Sequence, residues 1–268
     1  MENLNNVSKE IRKLTLRCVS AFGSGHIGGS LSIVDVLTCL YFKEMNVDSK
    51  NPQMESRDRL VVSKGHAGPA VYATLAYKGY FDIAELDTLN KIGTNLPSHC
   101  DMNKVKGVDM TTGSLGQGIS CAVGIAVGSK IKKDNASIYC IIGDGESEEG
   151  QVWEALEFAA NKKLDNLIVF LDYNKCQIDG TIDQVNDCGH FFERFEAFGF
   201  DTYSIPGHDL DKICETIEKC KLIKGKPHMI ILNTIKGKGV SFIEEMGFKN
   251  HSIPISPDDL ERALAELE

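Results

Sequence analysis

Residues 137–180, SIYCIIGDGESEEGQVWEALEFAANKKLDNLIVFLDYNKCQIDG, constrain the fold more than any other stretch of the chain. An apolar segment over 138–142 stops at Gly143-Asp144-Gly145. A helical pattern follows, with Val152, Leu156 and Ala159-Ala160 on one face, and then a second apolar segment over 167–171 stops at Asp172-Tyr173-Asn174. Short unbroken apolar runs of this kind read as strands buried on both faces, and two of them around one amphipathic helix make a βαβ unit of a parallel sheet. Both polar loops then fall at carboxyl ends of strands, where an open α/β sheet binds ligands. The glycines around Asp144 let backbone come close to a ligand, and the helix start after them offers unpaired N–H groups to an anion. Asp144 and the amide oxygen of Asn174 are hard oxygen donors of the type Mg²⁺ takes together with phosphate oxygens. Gly-Asp-Gly alone would mark only a surface turn; the full strand–loop–helix–strand–Asn order makes it a candidate metal and phosphate site.

The rest of the chain extends the same pattern. Leu4, Val7, Ile11, Leu14 and Cys18 recur at helical steps and predict a helix to about Ala21. Gly23-Ser24-Gly25-His26-Ile27-Gly28 then matches G-x-G-x-x-G. A dinucleotide fingerprint must follow a strand, and this match follows a helix, so it reads as a glycine-rich loop around His26. Ser30 is expected to cap a helix through Leu31, Val34, Leu37 and Leu40. Residues 58–63 predict a strand ending in Lys64-Gly65-His66-Ala67-Gly68, and Pro69 suits the first turn of a helix over 69–78. Residues 79–108, which include Pro97-Ser98-His99-Cys100, show no regular core pattern and read as a long excursion over the active face.

Gly113-Ser114-Leu115-Gly116-Gln117-Gly118 is a backbone-exposing loop, and a small-residue helix is expected from Ser120. Its Ala122, Gly124, Ala126 and Gly128 suit packing on another helix across an interface or, equally, burial against the sheet. Further on come a short aromatic helix over 190–200, a strand over 201–205, a helix over 210–223 and a strongly apolar strand over 227–234. That strand ends in Ile235-Lys236-Gly237-Lys238-Gly239, a basic glycine loop suited to an anion; His251 and a charged helix from Pro257 close the chain. The sum is about five parallel strands with helices on both faces, a doubly wound α/β fold, in one domain over 1–268.

Composition narrows the function. A hydrophobic content of 42% with 25% charged residues is ordinary for a soluble globular protein. A net charge of −9 argues against nucleic acid or an anionic membrane as the main partner. No apolar run approaches membrane-spanning length, and the N-terminus has no apolar signal core. Nine cysteines, an odd number without a C-x-x-C pair, fit reduced thiols in a cytoplasm, with Cys39, Cys121 and Cys140 as small core residues. His190, His208 and His228 read as packed or surface histidines.

Ser24-Gly25-His26, Ser63-Lys64-Gly65-His66-Ala67, the 112–118 run, Gly143-Asp144-Gly145 with Glu149-Gly150, and Leu164-Asp165-Asn166-Leu167 occur in the order found in the N-terminal part of transketolase. Thr234-Ile235-Lys236-Gly237 and His251 continue the match, so the chain resembles that family over nearly its whole length. The resemblance implies a thiamine diphosphate-binding fold. The side chains of Asp144 and Asn174 and the backbone carbonyl of Cys176 would hold Mg²⁺, with Ca²⁺ or Mn²⁺ as substitutes. Gly113, Ser114, Leu115 and Gly145 would line the cofactor, and His66, Lys236 and His251 would approach its diphosphate and the sugar. His26 and His99 would line the substrate channel, and Glu149 would face a partner chain near the aminopyrimidine.

The implied reaction moves a two-carbon ketol unit from a ketose phosphate to an aldose phosphate through an adduct of the cofactor, as in the pentose phosphate pathway. Histidines suit chemistry that moves protons on sugar hydroxyls near neutral pH. Transketolases carry pyrimidine-binding and C-terminal domains beyond the part matched here. These are expected on a separate C-terminal subunit, two copies of each chain, with the isolated chain nearly inactive. Some positions depart from the family: Ile27 stands where proline is common, Gly29 where some relatives have serine, and Ser98-His99-Cys100-Asp101 is atypical around the third histidine. The competing readings are a subunit of a split 2-oxoacid dehydrogenase or decarboxylase, and a non-catalytic regulatory half.

Overall fold

A computed structural model describes residues 3–187 and 189–268. Its strands, in chain order, are β1 (Ser24–Gly25), β2 (Arg59–Val62), β3 (Ile138–Gly143), β4 (Leu167–Tyr173), β5 (Asp201–Pro206), β6 (His228–Asn233) and β7 (Ile253–Pro254). The middle five form one parallel sheet, in keeping with the five or so parallel strands expected, and their order is β2-β3-β4-β6-β5. The first and last form a small antiparallel ribbon that the sequence did not announce.

The unbroken apolar character of the strands has a direct cause. Side chains alternate between sheet faces, and both faces are buried. Leu60, Val62, Tyr139, Ile141, Phe170 and Leu232 pack beneath the helices Leu4–Phe22, Val34–Cys39, Gly68–Tyr77 and Leu210–Leu222. Val61, Cys140, Ile142, Val169, Leu171 and Ile231 pack beneath Gln117–Lys132, Gly150–Asn161 and Phe191–Ala197. Each fully buried Leu or Ile contributes about 1.5–3 kcal/mol, and a one-residue slip would move every one of them to the wrong face, so the register is firmly set. In that register Gly143 lies opposite Asp172, and Tyr173 opposite Asn233. The strand ends are therefore nearly flush, and the loops that follow them meet.

Several local expectations are corrected. The helix around Ser30 begins earlier, as Ile27–Leu31, because Ile27 is itself core; Ser30 is no cap, and its hydroxyl donates to the His26 carbonyl at 2.6 Å. The chain breaks at Ser32 and resumes as Val34–Cys39, ending in a π-helical turn, Leu40–Glu44. A 3₁₀ turn, Gly145–Glu148, separates Asp144 from the helix Gly150–Asn161, so the helix does not start directly on the Gly-Asp-Gly loop.

Residues 79–108 do reach the active face, but they also supply core: Leu86, Leu89, Leu96, Cys100 and Val105 are buried against the first helix layer. Their irregular spacing follows from turns and the 3₁₀ segment Ile83–Thr88, which impose no single period. On Gln117–Lys132, Ala122 and Ala126 are buried against the sheet, whereas a methyl group added to Gly124 or Gly128 would touch nothing. Cys39 and Cys140 are core residues, but Cys121 is only half-buried; the eight described cysteines are all free. Among the described residues no helix is long and apolar enough to cross a membrane.

Candidate active site

The carboxyl ends of four neighbouring strands deliver one site. β2 leads into Lys64 and His66, β3 into Asp144 and Gly145, β4 into Asn174 and Cys176, and β6 into Lys236. His26 follows β1 and His251 precedes β7, so the small ribbon brings both onto the same face. His99 arrives on the 79–108 excursion. Its carbonyl accepts from Tyr72 Oη at 2.8 Å, and the next residue is fastened by Cys100 N–H to the Gly65 carbonyl at 3.3 Å.

Together these residues surround a cavity of about 610 Å³, which Gly113, Leu115 and Glu149 also line. Of the residues expected at the site, only Ser114 is absent from the cavity wall; it is exposed in the adjoining turn. Glu149 is exposed at the rim. Gly29 is part of the wall too, and a Cβ there would stand 3.2 Å from His66 Nε2. A serine at this position would require that ring to give by a few tenths of an ångström.

The four expected histidines form one cluster. The His26 ring centroid lies 5.5 Å from that of His66, 5.4 Å from His99 and 5.3 Å from His251, and His66 is 5.0 Å from His251. Burial is the first cause that lowers the proton affinity of each ring. For His66 the Lys64 charge adds to it, and for His251 the Lys236 charge, which takes that ring down to about 3. At neutral pH the site holds neutral imidazoles, each with one donor and one acceptor.

Each of these rings has a reference value of 6.5 and a lower one when folded. The unfolded chain takes up protons first, so their contribution to stability is intact above pH 6.5 and is lost as pH falls below it. Asp144 works in the opposite sense, since its folded carboxyl is pushed up from 3.8 to about 7. NMR titration of the seven imidazoles is expected to separate these groups, with His251 unprotonated down to about pH 3. A His251 midpoint near 6.5 would contradict the electrostatics of the cluster.

The acidic side of the cavity was only partly foreseen. Asp144 is buried; Oδ1 accepts the Gly145 N–H at 2.8 Å and Oδ2 the Lys175 N–H at 2.6 Å. Burial and then the neighbouring Asp172 charge raise its carboxyl, and the two amides and Lys64 only partly oppose them. Such a carboxyl lies in a place short of positive charge, the condition a divalent cation relieves.

Asn174 Nδ2 donates to Asp172 Oδ2 at 2.9 Å, leaving Oδ1 as the outward end of the amide, where it accepts the Cys176 N–H at 3.1 Å. The Cys176 carbonyl accepts from Lys236 Nζ at 3.1 Å, and Lys236 is 5% exposed rather than open on a loop. A carboxylate, an amide oxygen and a peptide carbonyl form an all-oxygen donor set that fits Mg²⁺, Ca²⁺ or Mn²⁺.

Sequence reasoning missed what lies under the site. Asp172, read as a loop residue, is the last but one residue of β4 and fully buried. It accepts from Lys64 Nζ at 2.6 Å, Ser32 Oγ at 2.7 Å and Thr234 Oγ1 at 2.5 Å besides Asn174. Glu146, also buried, accepts from Ser63 Oγ, from Gly116 N–H at 2.8 Å and from Gly143 N–H at 3.0 Å, and so fixes two glycine loops of the cavity at once. A lysine or acid beside a glycine motif was the only signal for either. His228 is buried and pairs with Asp201 at 3.2 Å at the opposite ends of the strands, as expected of a packed histidine.

A parallel sheet with this cavity at its carboxyl edge defines an α/β protein that binds a ligand at its strand ends. Residues 4–267 match the family described as "Transketolase, thiamine diphosphate binding domain", and the chain belongs to that family. It is 53% identical over 266 residues to the 6-deoxy-6-sulfo-D-fructose transketolase subunit SqwG of Clostridium sp. (strain MSTE9), covering 99% of this chain and 96% of that one. It is 38% identical to an apulose-4-phosphate transketolase subunit of Phocaeicola vulgatus, over 100% of this chain and 94% of the relative. Transketolase from Leishmania mexicana superposes with a TM-score of 0.93 at 30% identity, over all of this chain but 41% of that longer one. The chain is a transketolase N-terminal subunit by family, and thiamine diphosphate is the cofactor of the domain it matches.

Proposed function

We propose that this chain binds the diphosphate end of thiamine diphosphate through Mg²⁺ and, with a separate C-terminal chain, transfers a two-carbon ketol unit from a ketose to an aldose. One observation carries the reading: Asp144, whose carboxyl burial and the Asp172 charge push up, lines a single cavity together with Asn174 and four neutral imidazoles. Asp144, Asn174 and the Cys176 carbonyl hold the metal, which Ca²⁺ or Mn²⁺ can replace. When bound, the cofactor supplies a centre that stabilises a carbanion. Lys236, His66 and His251 bind its anionic end and approach the sugar, while Gly113, Ser114, Leu115 and Gly145 leave backbone room beside it. Neutral His26 and His99 accept and donate hydrogen bonds to sugar hydroxyls and take up or return a proton at a hydroxyl oxygen. A cluster of imidazoles suits polyhydroxylated substrates better than 2-oxoacids.

Glu149 at the open rim faces the partner, which completes the cofactor site; two copies of each chain form the assembly. Support for a separate partner comes from relatives that this chain spans almost entirely and whose names call them subunits. The donor is a ketose with a strongly anionic end. The name of the 53% identical relative supports a sulfonated ketose, and those of the more distant relatives support a sugar phosphate.

The test is a coupled assay with thiamine diphosphate and Mg²⁺, with ribose 5-phosphate as acceptor and either 6-deoxy-6-sulfo-D-fructose or xylulose 5-phosphate as donor. Turnover in the mixture is expected to exceed that of either chain alone by about a thousandfold or more, since half a site lacks most of its transition-state contacts. Full activity from this chain alone would overturn the need for a partner. A preference for the phosphate donor would decide against the sulfonated ketose, and turnover of neither would overturn the anionic ketose as donor.

A further inference from the structure

The loop that carries Lys236 is fastened through its peptide groups. Ile235 N–H donates to His208 Nε2 at 2.8 Å, and the Lys236 carbonyl accepts from Asn250 Nδ2 at 2.9 Å. Gly237 N–H donates to the Gly28 carbonyl at 3.0 Å, and the Lys238 carbonyl accepts from Arg12 Nε at 3.1 Å. Two of these four ties converge on one carboxylate. His208 Nδ1 lies 2.7 Å from Asp35 Oδ2, while Arg12 Nη2 lies 2.5 Å from the same oxygen and Nη1 lies 3.1 Å from Oδ1. Asp35 is 4% exposed and accepts a further hydrogen bond from Ser8 Oγ at 2.6 Å.

The tautomer of His208 is fixed by these partners. Nε2 accepts an amide hydrogen and so carries no proton; the ring proton is therefore on Nδ1, which donates to Asp35. Asp35 orients the ring and the ring orients the Ile235 peptide, one residue before Lys236. Through Arg12 the same carboxylate restrains the peptide two residues after it. His208 is outside the cavity wall and cannot touch a ligand there.

We propose that His208, backed by Asp35 and Arg12, is a positioning residue that sets the 235–238 loop so that Lys236 Nζ stands between the Cys176 carbonyl and His251 Nδ1, 3.3 Å away. The functional consequence rests on the proposed placing of Lys236 at the cofactor's diphosphate. Because Lys236 is buried, its side chain has little room to compensate for a displaced backbone.

His208→Asn keeps an N–H for Asp35 but offers no acceptor to Ile235, whereas His208→Gln offers an amide oxygen near the position of Nε2. Two readouts are compared: hydrogen exchange of the 235–238 amides in the full chain, and affinity of the assembled complex for thiamine diphosphate with Mg²⁺. His208→Asn is expected to speed exchange of the Ile235 amide and to weaken the cofactor, each by up to about tenfold, the scale of one lost hydrogen bond. His208→Gln should recover most of both. In a Lys236→Met background His208→Asn should add less than about twofold to the loss of affinity, because residues acting as a unit are not additive.

Unchanged exchange in His208→Asn would overturn the proposal, and so would a full tenfold loss of affinity on top of Lys236→Met. Faster exchange with cofactor affinity untouched by Lys236→Met supports the loop device and overturns the placing of Lys236 at the diphosphate instead.

Discussion

Asp144→Ala is expected to abolish the Mg²⁺-dependent part of thiamine diphosphate binding, weakening the cofactor by about a hundredfold or more, since two charge-assisted contacts at about 1.5–3 kcal/mol each are at stake. The buried acids near it offer no substitute: Asp172 is already engaged by Lys64, Ser32, Thr234 and Asn174, and Glu146 by Ser63, Gly116 and Gly143. Asp144→Asn is the milder variant: it removes the charge and keeps one of the two acceptors, while its NH2 group faces the other amide, that of Gly145 or Lys175. The folded carboxyl at about 7 against a reference of 3.8 means that ionising Asp144 in the metal-free protein costs stability as pH rises through that window. In chelator the natural chain should therefore lose melting midpoint as pH rises from about 4 to 7, a loss Asp144→Asn does not share, and the variant should gain nothing from added Mg²⁺ and cofactor. Calorimetry of binding and melting with and without Mg²⁺ checks both halves. Affinity unchanged in either variant would remove Asp144 from the metal set.

This opposition between metal-free stability and ligand binding is a property of the three-dimensional arrangement, and the sequence carried only its outline. The βαβ unit was legible because two unbroken apolar runs and an amphipathic helix obey different periods, and flush strand ends then bring Gly-Asp-Gly beside Asn174. The histidines were legible because each lies in a glycine- or polar-flanked loop that the fold turns to one face. What stayed hidden depends on partners distant in sequence. Asp172 lies at the boundary between an apolar run and a polar loop, and nothing near it shows that Lys64, 108 residues away, is its counter-ion. His208 carries no local mark either; its role follows only from Asp35 lying 173 residues before it and Ile235 lying 27 after. Ser30 was misread, and residues 79–108 read only in part, for a different reason: a helix start set by a buried Ile27 and a core built from turns follow tertiary packing rather than propensity.

Lys64→Met tests the hidden part of the site, and its effect on folding should be the largest of any single change there. Lys64 and Asp172 are 2% and 0% exposed, 2.6 Å apart. Removing one partner of a buried pair leaves the other charge uncompensated, at about 3–5 kcal/mol, which should lower the melting midpoint by about 10 °C in a chain of this size. Burial by itself would raise the Asp172 carboxyl; the Lys64 charge together with the hydrogen bonds from Lys64, Thr234 and Ser32 outweighs it and holds the group below its usual range. Without Lys64 the carboxyl shifts upward. A folded-state value above the unfolded one gives stability that is present at low pH and lost as pH rises, so the variant should be less impaired at pH 5 than at pH 8.

The double variant Lys64→Met, Asp172→Asn removes both charges and should recover most of the melting midpoint, as neutral replacements of buried pairs commonly do. It should not recover cofactor binding. Asn174 depends on the Asp172 carboxylate to hold its Nδ2 inward and its Oδ1 outward, and an amide at 172 can present either a donor or an acceptor to it. Recovered folding with weakened metal-dependent binding would establish that the buried pair orients a metal ligand as well as holding the sheet ends together. A single variant that melts within about 2 °C of the natural chain would show that the pair is worth no more than an exposed ion pair, and the cavity floor would then owe its order to Ser32 and Thr234 alone.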